Sequence, residues 1–550
     1  MSFFAGGVPL EEWEVEYGER VSRSIAELSE NRKLLIMLSV GLVAGIEVAN
    51  RLSINVILPD LQGNVAGSSD DVSWVLILYN LGFLCSMALS AWMTRVMGAR
   101  RHLLSSLAVY AVGVLGSFLS EHSLTLLLIS RVIMGFGGGA FFVRSVILSR
   151  MMFPPGKTRI FALTCLYVEF TFFEVLYPTA MGWISDSMHW NYAFLLDLPF
   201  LAIGAFMIWK YVPWGYLYLR SEKSYVDLWG AGLLIAGLSS LQIALSRGQR
   251  DEWLDSRFIV ITLSMALFCF MVFLWWDWRP ENPAPVLHLR LIWRYLPLRA
   301  SLMVIMVVGA ILGAGLFVLP QYLRHVQDYS ATQTGGFVSV YTAGLGIGLV
   351  VFLRYFVPRF GGTKAVIFGA LLMFACCVNF VYIWTPTTPT LVLLPSVFFQ
   401  GFALGPMVLG AAVMSTGQAA ISELNDISTS FFFVRQLGNT FGVTAATVLF
   451  DYRTTLHSSR LEDVANRLDP TLQSTLAQYS SIIARNGGAG SNPDLGALQL
   501  FQSNVITQSQ LLSYIDIFFG LAVLSALILL LLLIARPKST PSAVLHFHLW

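Results

Sequence analysis

The stretch GIEVANRLSINVILPDL, residues 45–61, places three polar side chains inside an apolar run that begins at Leu34. Glu47, Asn50 and Arg51 occupy positions i, i+3 and i+4, so a helix would carry all three on one face. An ionisable side chain at bilayer depth costs about 2.5–3.5 kcal/mol on insertion scales, and such residues are usually functional. The stretch predicts a membrane helix whose polar face points into the protein, with Glu47 and Arg51 paired across one turn.

The composition of the chain is that of an integral membrane protein. Of its 550 residues, 56% are hydrophobic and only 12% are charged, whereas charged residues make up about a quarter of soluble domains. The net charge of +2 gives no indication of a nucleic-acid partner. The sequence has no G-x-x-x-x-G-K-[ST], C-x-x-C or H-E-x-x-H motif, so we predict no ATP-driven pumping, no metal site and no cofactor.

Fourteen apolar stretches are long enough to form a spanning helix, which needs about 20 residues. They lie near 34–58, 72–93, 103–120, 124–149, 160–182, 192–212, 228–247, 258–276, 297–319, 335–357, 365–385, 391–413, 429–450 and 511–535. The connections after helices two, four and six carry Lys and Arg, whereas those after helices one, three and five carry none. Because basic residues mark the cytoplasmic side, both termini are predicted to be cytoplasmic.

A long connection, residues 451–510, separates the last two helices and is predicted to lie outside the membrane. Apolar residues recur in it at roughly helical spacing, which predicts short helices around a polar NGGAGSNPD tip. Loops longer than about 12–15 residues are usually functional or disordered. The segment is either a docking surface or a solvated insertion without partners.

Four stretches within the predicted helices carry recognisable motifs. ANRLSINVILPDL lies in helix one, SRVIMGFGGGA in helix four contains Arg131, Gly135 and Gly137, FEVLYPTAMG in helix five contains Pro178 and Gly182, and FFFVRQLGNTFG in helix thirteen contains an arginine. These motifs resemble those at the same helices of the 14-helix drug:proton antiporter branch of the major facilitator superfamily, and within it the EmrB-type pumps of bacterial inner membranes.

The resemblance implies an all-α membrane protein with the major facilitator fold, two six-helix bundles plus two additional transmembrane helices. Applied to this chain, it predicts a cytoplasmic segment (1–33), an N-terminal bundle (34–213), the two extra helices (214–278), the first five helices of the C-terminal bundle (279–450), a periplasmic segment (451–510), the last helix (511–536) and a cytoplasmic tail (537–550). It also implies a periplasmic adaptor and an outer-membrane channel as partners, in addition to protons, a small-molecule substrate and membrane lipid.

The candidate site residues are the polar side chains inside predicted helices. The acid that the branch carries in its first helix falls on Asn50, and we infer that Glu47, one turn earlier, replaces it. The set expected to couple protons is Glu47, Arg51, Arg131, Glu169 and Glu174, and the set expected to line the substrate cavity is Asn50, Arg144, Arg435 and Gln436. Arg144 either lines this cavity or pairs with an acid of helix five. The motif residues Gly135, Gly137, Pro178 and Gly182 are expected to serve helix packing.

These residues favour proton-coupled efflux of small amphiphilic compounds, aromatic or weakly acidic, across a bacterial inner membrane. Four interior arginines against three interior carboxylates favour anionic substrates. A proton-coupled importer of an organic anion has the same topology and remains an alternative. A membrane-embedded enzyme would need clustered catalytic groups, whereas the eight histidines are scattered over loops and the tail. Glu47 and Arg51 could also be a silent ion pair.

Overall fold

We describe the fold from a computed structural model of the chain. It describes residues 4–5, 8–9, 25, 27–64, 69–153, 157–214, 227–248, 251–279, 289–385, 388–416, 424–464, 470–485 and 493–535. The helices, numbered in chain order, are α1 Glu30–Asn64, α2 Ser69–Met97, α3 Ala99–Phe118, α4 Leu124–Gly138, α5 Phe141–Met152, α6 Lys157–Ser187, α7 Asp197–Tyr211, α8 Leu228–Arg247, α9 Arg257–Asp277, α10 Leu289–Arg294, α11 Leu296–His325, α12 Ala331–Val351, α13 Val357–Phe360, α14 Gly362–Ile383, α15 Thr390–Thr416, α16 Leu424–Val464, α17 Pro470–Arg485 and α18 Pro493–Ala535.

Three short helical segments and two short strands complete the described structure. Trp190–Leu196 and Trp253–Asp255 are 3₁₀ helices, and Phe352–Phe356 is a π-helical turn between α12 and α13. The strands β1 Phe4–Ala5 and β2 Val8–Pro9 pair antiparallel near the N-terminus. The fold is otherwise all-α, as the sequence predicts.

Eleven helices in the described residues are long and apolar enough to cross a membrane. Each corresponds to one of the fourteen predicted helices. The other three predicted helices are present as α2, as α4 with α5, and as α16, but these do not meet the same length and hydropathy criteria. A multi-pass membrane protein is thus confirmed, and the count of fourteen spans stays a prediction.

The predicted fourth helix is interrupted, because α4 ends at Gly138 and α5 begins at Phe141. The glycines at this break lie against the backbones of neighbouring helices. A Cβ added to Gly137 would come 2.7 Å from the Ser106 carbonyl oxygen of α3, and one added to Gly139 would come 3.1 Å from the Met87 nitrogen of α2. Glycine therefore allows three helix backbones to meet at this point.

The N-terminal bundle (α1 to α7) and the C-terminal bundle (α11 to α18) meet along a seam between α6 and α12. Glycines on α12 lie against the backbone and side chains of α6, and Gly335 faces the Pro178 carbonyl of α6. Gly182 of α6 lies in turn against the first turn of α12 at Ala331. The extra helices α8 and α9 pack against each other, and α8 packs on α2.

The outer segment, residues 451–510, is built largely from extensions of transmembrane helices. α16 continues to Val464, and α18 starts at Pro493 and runs without interruption into the last membrane helix. Between them lies α17, and most of the glycine-rich tip predicted at 486–494 lies outside the described residues. We call the membrane face that carries this segment the outer face; it is the face predicted to be periplasmic.

The base of the outer segment is joined by polar contacts between α16 and α18. The Thr454 hydroxyl donates to Ser513 Oγ at 2.9 Å, and His457 Nε2 lies 2.8 Å from Asp516 Oδ2. Arg453 Nε is 3.4 Å from the same carboxylate oxygen. The two helices therefore leave the membrane as a joined antiparallel pair.

Candidate functional site

Glu47 lies inside the N-terminal bundle with none of its side chain exposed. The Arg51 Nε donates to Glu47 Oε1 at 3.1 Å, and the Tyr79 hydroxyl of α2 donates to the same oxygen at 2.8 Å. Glu47 Oε2 is buried and has no hydrogen-bond partner among the described residues. Spacing along one helix predicts the pair with Arg51, whereas Tyr79 comes from another helix and is not identified from the sequence.

Arg51 connects the two bundles. A terminal nitrogen of its guanidinium donates to Gln436 Oε1 of α16 at 3.1 Å. Gln436 in turn donates through Nε2 to Asn80 Oδ1 of α2 at 3.5 Å. The guanidinium also lies over the Phe83 ring, 4.8 Å from its centroid. Arg51 therefore bridges the Glu47 carboxylate and a side chain of the C-terminal bundle through two different nitrogens.

Arg131 of α4 is fully buried beside this pair. Its guanidinium lies over the Tyr79 ring at 4.3 Å and over the Phe194 ring at 5.8 Å. Its Nε donates to the Val75 carbonyl oxygen at 3.5 Å, and one terminal nitrogen, Nη2, has no partner among the described residues. Arg131 thus holds the ring of the tyrosine that donates to Glu47, and it makes no described ion pair with Glu47 itself.

Asn50 faces Asp197, a buried acid that is not among the candidate residues predicted from the sequence. Asn50 Nδ2 donates to Asp197 Oδ2 at 3.0 Å, and the Tyr110 hydroxyl of α3 donates to the same oxygen at 3.1 Å. Asp197 is the first residue of α7 and is fully buried. Its signal in the sequence is a lone acid within the predicted sixth helix, to which the rule for intramembrane charge applies.

Glu169 and Glu174 are five residues apart on α6, which places them about 140° apart around the helix, so they have different neighbours. Glu169 lies against Gly41 of α1, where an added Cβ would come 3.2 Å from its Cδ, and its Oε2 has no described partner. Glu174 is buried, and Arg435 and Arg51 are the cations whose charges act on it. Glu174 therefore belongs to the group around Arg51, and Glu169 lies apart from it.

Arg435 lies on α16 beside Gln436, between two aromatic rings. Its guanidinium carbon is 5.2 Å from the Phe142 centroid and 5.7 Å from the Phe432 centroid. The two rings make an edge-to-face contact at 4.9 Å that joins α5 to α16. The Arg435 Nε is buried and has no hydrogen-bond partner among the described residues. This position combines a cation with apolar, aromatic walls.

Arg144 of α5 contacts the neighbouring helix α2. It is buried, and it donates to the Ser90 carbonyl oxygen of α2 at 2.6 Å and to Ser90 Oγ at 3.2 Å. These contacts join α5 to α2 within the N-terminal bundle. The structure thus places Arg144 in contact with α2, next to the break between α4 and α5.

The charge count of the interior differs from the expected one. Asp197 adds a fourth carboxylate to the three predicted from the sequence, so the interior contains four arginines and four acids from this set. The excess of positive charge expected from the sequence is therefore absent from this set. Among the described residues, no group of three or more His, Cys, Asp or Glu could hold a metal ion.

The two bundles are also joined by ionic contacts at the outer face. Arg324 of α11 pairs with Asp60 of α1, which also accepts from the Ser185 hydroxyl of α6 at 2.8 Å. Asp186 of α6 accepts from the backbone nitrogens of Ala331 at 3.2 Å and Thr332 at 2.7 Å, which begin α12. One bundle thus caps a helix of the other, and the seam is closed at this face.

Known proteins that are similar to this chain are membrane transporters. The chain matches the Major Facilitator Superfamily over residues 40–443. It is 25% identical over 461 residues to the multidrug export protein EmrB of Escherichia coli strain K12, covering 82% of this chain and 87% of that protein. It is 24% identical over 514 residues to the fatty acid resistance protein FarB of Neisseria gonorrhoeae, covering 91% and 96%.

Solved structures show the same fold. The human organic anion transporter MFSD10 aligns with a TM-score of 0.52 at 16% identity and covers 77% of this chain and 94% of its own. A bacterial homologue of the lysosomal transporter Spinster, inward-facing and unoccupied, aligns with a TM-score of 0.52 at 15% identity, covering 93% and 98%. The chain belongs to the major facilitator superfamily of membrane transporters.

Proposed function

We propose that the chain exports amphiphilic compounds across a bacterial inner membrane in exchange for protons. The observation that carries the proposal is the contact of Arg51 with two partners, Glu47 of its own bundle and Gln436 of the other. A proton on Glu47 removes the negative charge that holds Arg51, so the contact between the bundles changes with the charge of one carboxyl group. This is the element that proton-driven alternating access requires.

The cycle then follows from the charges. Glu47 loads a proton from the outer side, the pair with Arg51 weakens, and the bundles rock toward the other orientation. Release of the proton on the inner side restores the pair. One charge moved through 100 mV supplies about 2.3 kcal/mol, which is enough to shift an equilibrium between two states roughly fiftyfold.

The substrate class proposed is an aromatic or weakly acidic amphiphile. Arg435 offers a buried guanidinium nitrogen without a described partner, and Phe142 and Phe432 give it apolar walls. The similarity to EmrB and FarB, named for multidrug export and for fatty acid resistance, supports export of such compounds. The charge count does not add support, because Asp197 balances the fourth arginine.

Transport by energised everted vesicles tests the proposal. With fluorescent amphiphiles of each charge as probes, we expect uptake that a protonophore abolishes and a proton signal that accompanies it. Glu47→Gln and Glu174→Gln should lose uphill uptake yet retain energy-independent exchange, with Glu169→Gln less affected. Glu30→Gln is the matched control, because it changes the same kind of side chain at an exposed position that pairs with Lys33. Uptake that persists with protonophore would overturn proton coupling. Protons that enter the vesicle together with the substrate, instead of leaving it, would indicate the importer.

We further propose that the outer segment docks a periplasmic adaptor that leads to an outer-membrane channel. Support comes from its length and from its exposed apolar side chains, including Ile482, Leu495 and Leu498. Ordering each residue costs about 1–2 kcal/mol, which packing or a partner must offset. The similarity to EmrB-type pumps favours an adaptor over packing on the transporter alone.

A deletion that keeps the base of the segment tests the adaptor. Because Thr454 pairs with Ser513 and His457 with Asp516, a deletion between residues 460 and 510 keeps the contacts that join α16 to α18. A short Gly/Ser bridge replacing 461–509 should therefore leave folding and vesicle transport intact, while whole-cell resistance and adaptor co-purification are lost. Unchanged whole-cell resistance would show that the segment is dispensable.

A further inference from the structure

The Asp197 carboxyl group has hydrogen-bond partners on only one of its two oxygens. Oδ2 accepts from Asn50 of α1 and from Tyr110 of α3. Oδ1 is buried and has no partner among the described residues. The hydroxyl of Tyr177, from α6, is a third neutral polar group beside this carboxyl group. A tyrosine hydroxyl can either donate or accept a hydrogen bond.

The groups that surround Asp197 are neutral, with a single cation behind them. Asn50, Tyr110 and Tyr177 are the polar side chains that α1, α3 and α6 direct at it, and Arg131 of α4 is the cation whose charge acts on it. No Lys, Arg or His in the described residues lies within 4.0 Å of its oxygens in an ion pair. Glu47, by contrast, has Arg51 in direct contact.

The Tyr177 hydroxyl can serve either protonation state of Oδ1. It donates to Oδ1 while the acid is ionised and accepts from Oδ1 once the acid is protonated, and Oδ2 accepts from Asn50 and Tyr110 in both states. Without that proton, a buried carboxylate keeps its charge with no ion-pair partner, which is costly. The start of α7 partly offsets the cost, because helix N-termini favour negative charge. Both protonation states are thus accommodated, as a group that loads and releases protons requires.

The Asp197 group is adjacent to the Glu47 group. An added Cβ at Gly138 would come 2.7 Å from Glu47 Cγ, 3.1 Å from the Tyr79 hydroxyl and 3.4 Å from Tyr110 Cε2. Tyr79 donates to Glu47 and Tyr110 donates to Asp197. The tyrosines that donate to the two carboxyl groups therefore both lie beside Gly138. Glu47, the acid of one pair, and Asn50, which donates to the acid of the other, lie one turn apart on α1.

We propose that Asp197 is a second proton-carrying group of the transporter, with Asn50 as the amide that keeps it in place in both protonation states. The proton binds Oδ1 on loading and leaves from the same atom on release, with no other bond made or broken. The inference rests on the proposed proton coupling and extends it from one carboxyl group to two. A transport cycle would accordingly move a proton through each.

Infrared difference spectroscopy of the purified protein between alkaline and acid pH tests the assignment without any substrate. The wild type should show carbonyl stretching bands of protonated carboxylic acids, and Asp197→Asn should lose one of them. Asp197→Asn keeps the shape of the side chain and an oxygen that can accept the hydrogen bond from the Asn50 amide, so the variant should fold. The exchanged pair Asn50→Asp/Asp197→Asn should regain a band and restore coupled transport. Asp60→Asn, at the outer-face ion pair, is the control that leaves the buried bands unchanged.

The outcomes separate this proposal from the one on which it rests. If Glu47→Gln loses a band and coupling while Asp197→Asn keeps every band and the wild-type proton count, the second site is overturned and proton coupling survives. If wild-type transport is insensitive to protonophore, the proposed function itself fails. If Asp197→Asn is not monodisperse, the exchanged pair alone decides, because the absence of a carboxylic acid band from it would overturn the assignment.

Discussion

The carboxylate of Asp186 caps a helix that belongs to the opposite bundle, and its removal should open the outer face. Asp186→Ala deletes the acceptor of the Ala331 and Thr332 backbone nitrogens. Loss of a capping side chain costs about 0.5–2 kcal/mol, and Asp186 is exposed, so the lower half of this range is expected. Since the contact exists only while the outer face is closed, the cost falls entirely on that state.

The free-energy cost of losing this cap determines how far the population shifts from the closed state to the outward-open state. A change of about 0.5–1.25 kcal/mol, the lower half of that range, shifts the open-to-closed ratio about 2- to 8-fold. If about a tenth of the wild-type molecules were outward-open, the variant would raise this fraction to between roughly a fifth and a half. Spin labels can be attached at Leu119 of the N-terminal bundle and Leu391 of the C-terminal bundle, both strongly exposed, in a variant that lacks the five native cysteines. Pulsed electron paramagnetic resonance would then report the change as a longer distance between the labels.

Gln333→Ala is the control for this experiment. Gln333 Oε1 accepts from the Ser330 nitrogen within the capping box of α12 itself, so the substitution weakens the same helix start without touching α6. It should leave the distance distribution as in the wild type. An unchanged distribution in Asp186→Ala, or an equal shift in both variants, would refute the reasoning that the cap acts between the bundles.

Three further predictions concern packing, the outer segment and the sign of coupling. Gly137→Ala should lower the midpoint of thermal unfolding, because the new Cβ meets the backbones of Ser106 and Tyr110 and overpacking costs about 1–3 kcal/mol. Gly336→Ala is its control: an added Cβ there has nothing within 4 Å, so the midpoint should stay unchanged or rise. Asp516→Asn should speed proteolysis of the outer segment about 2- to 5-fold by weakening contacts with Arg453 and His457, whereas Glu462→Gln, at an exposed contact within α16, should not. Binding of a neutral or cationic substrate to purified wild-type protein in weakly buffered solution should release protons, and proton uptake on binding would contradict export by exchange. Arg435→Gln should weaken the binding of weak acids more than that of neutral compounds.

The parts of the fold that the sequence predicts are those set by local patterns. The pair of Glu47 and Arg51 follows from helical geometry alone, since residues four apart share a face. The helices follow from long apolar stretches, and most of their predicted positions agree with the structure to within a few residues. The ends that differ most are those of α16 and α18, where polar residues continue a helix beyond the predicted membrane boundary.

The parts that the sequence analysis missed depend on contacts between distant helices. Tyr79, Tyr110 and Tyr177 are ordinary aromatic residues in apolar helices, and nothing in their spacing marks them as donors to buried acids. Asp197 had a readable signal, a lone acid in an apolar run. The break after Gly138 also had one, since four glycines within residues 135–139 are unfavourable in a helix interior.

The arrangement of the arginines sets a condition on the direction of transport. If an anionic substrate bound Arg51, it would take the place of the Glu47 carboxylate, and a proton on Glu47 would strengthen its binding. Because linkage is reciprocal, proton and anion would then travel together, as in the importer. Export by exchange requires the opposite sign, so the substrate must either be neutral or cationic, or bind a cation that Glu47 does not occupy. Arg435, on the other bundle and flanked by Phe142 and Phe432, meets that condition for a proton carried by Glu47. Its charge acts on Glu174, so an anion bound at Arg435 would oppose the exchange of a proton carried by Glu174.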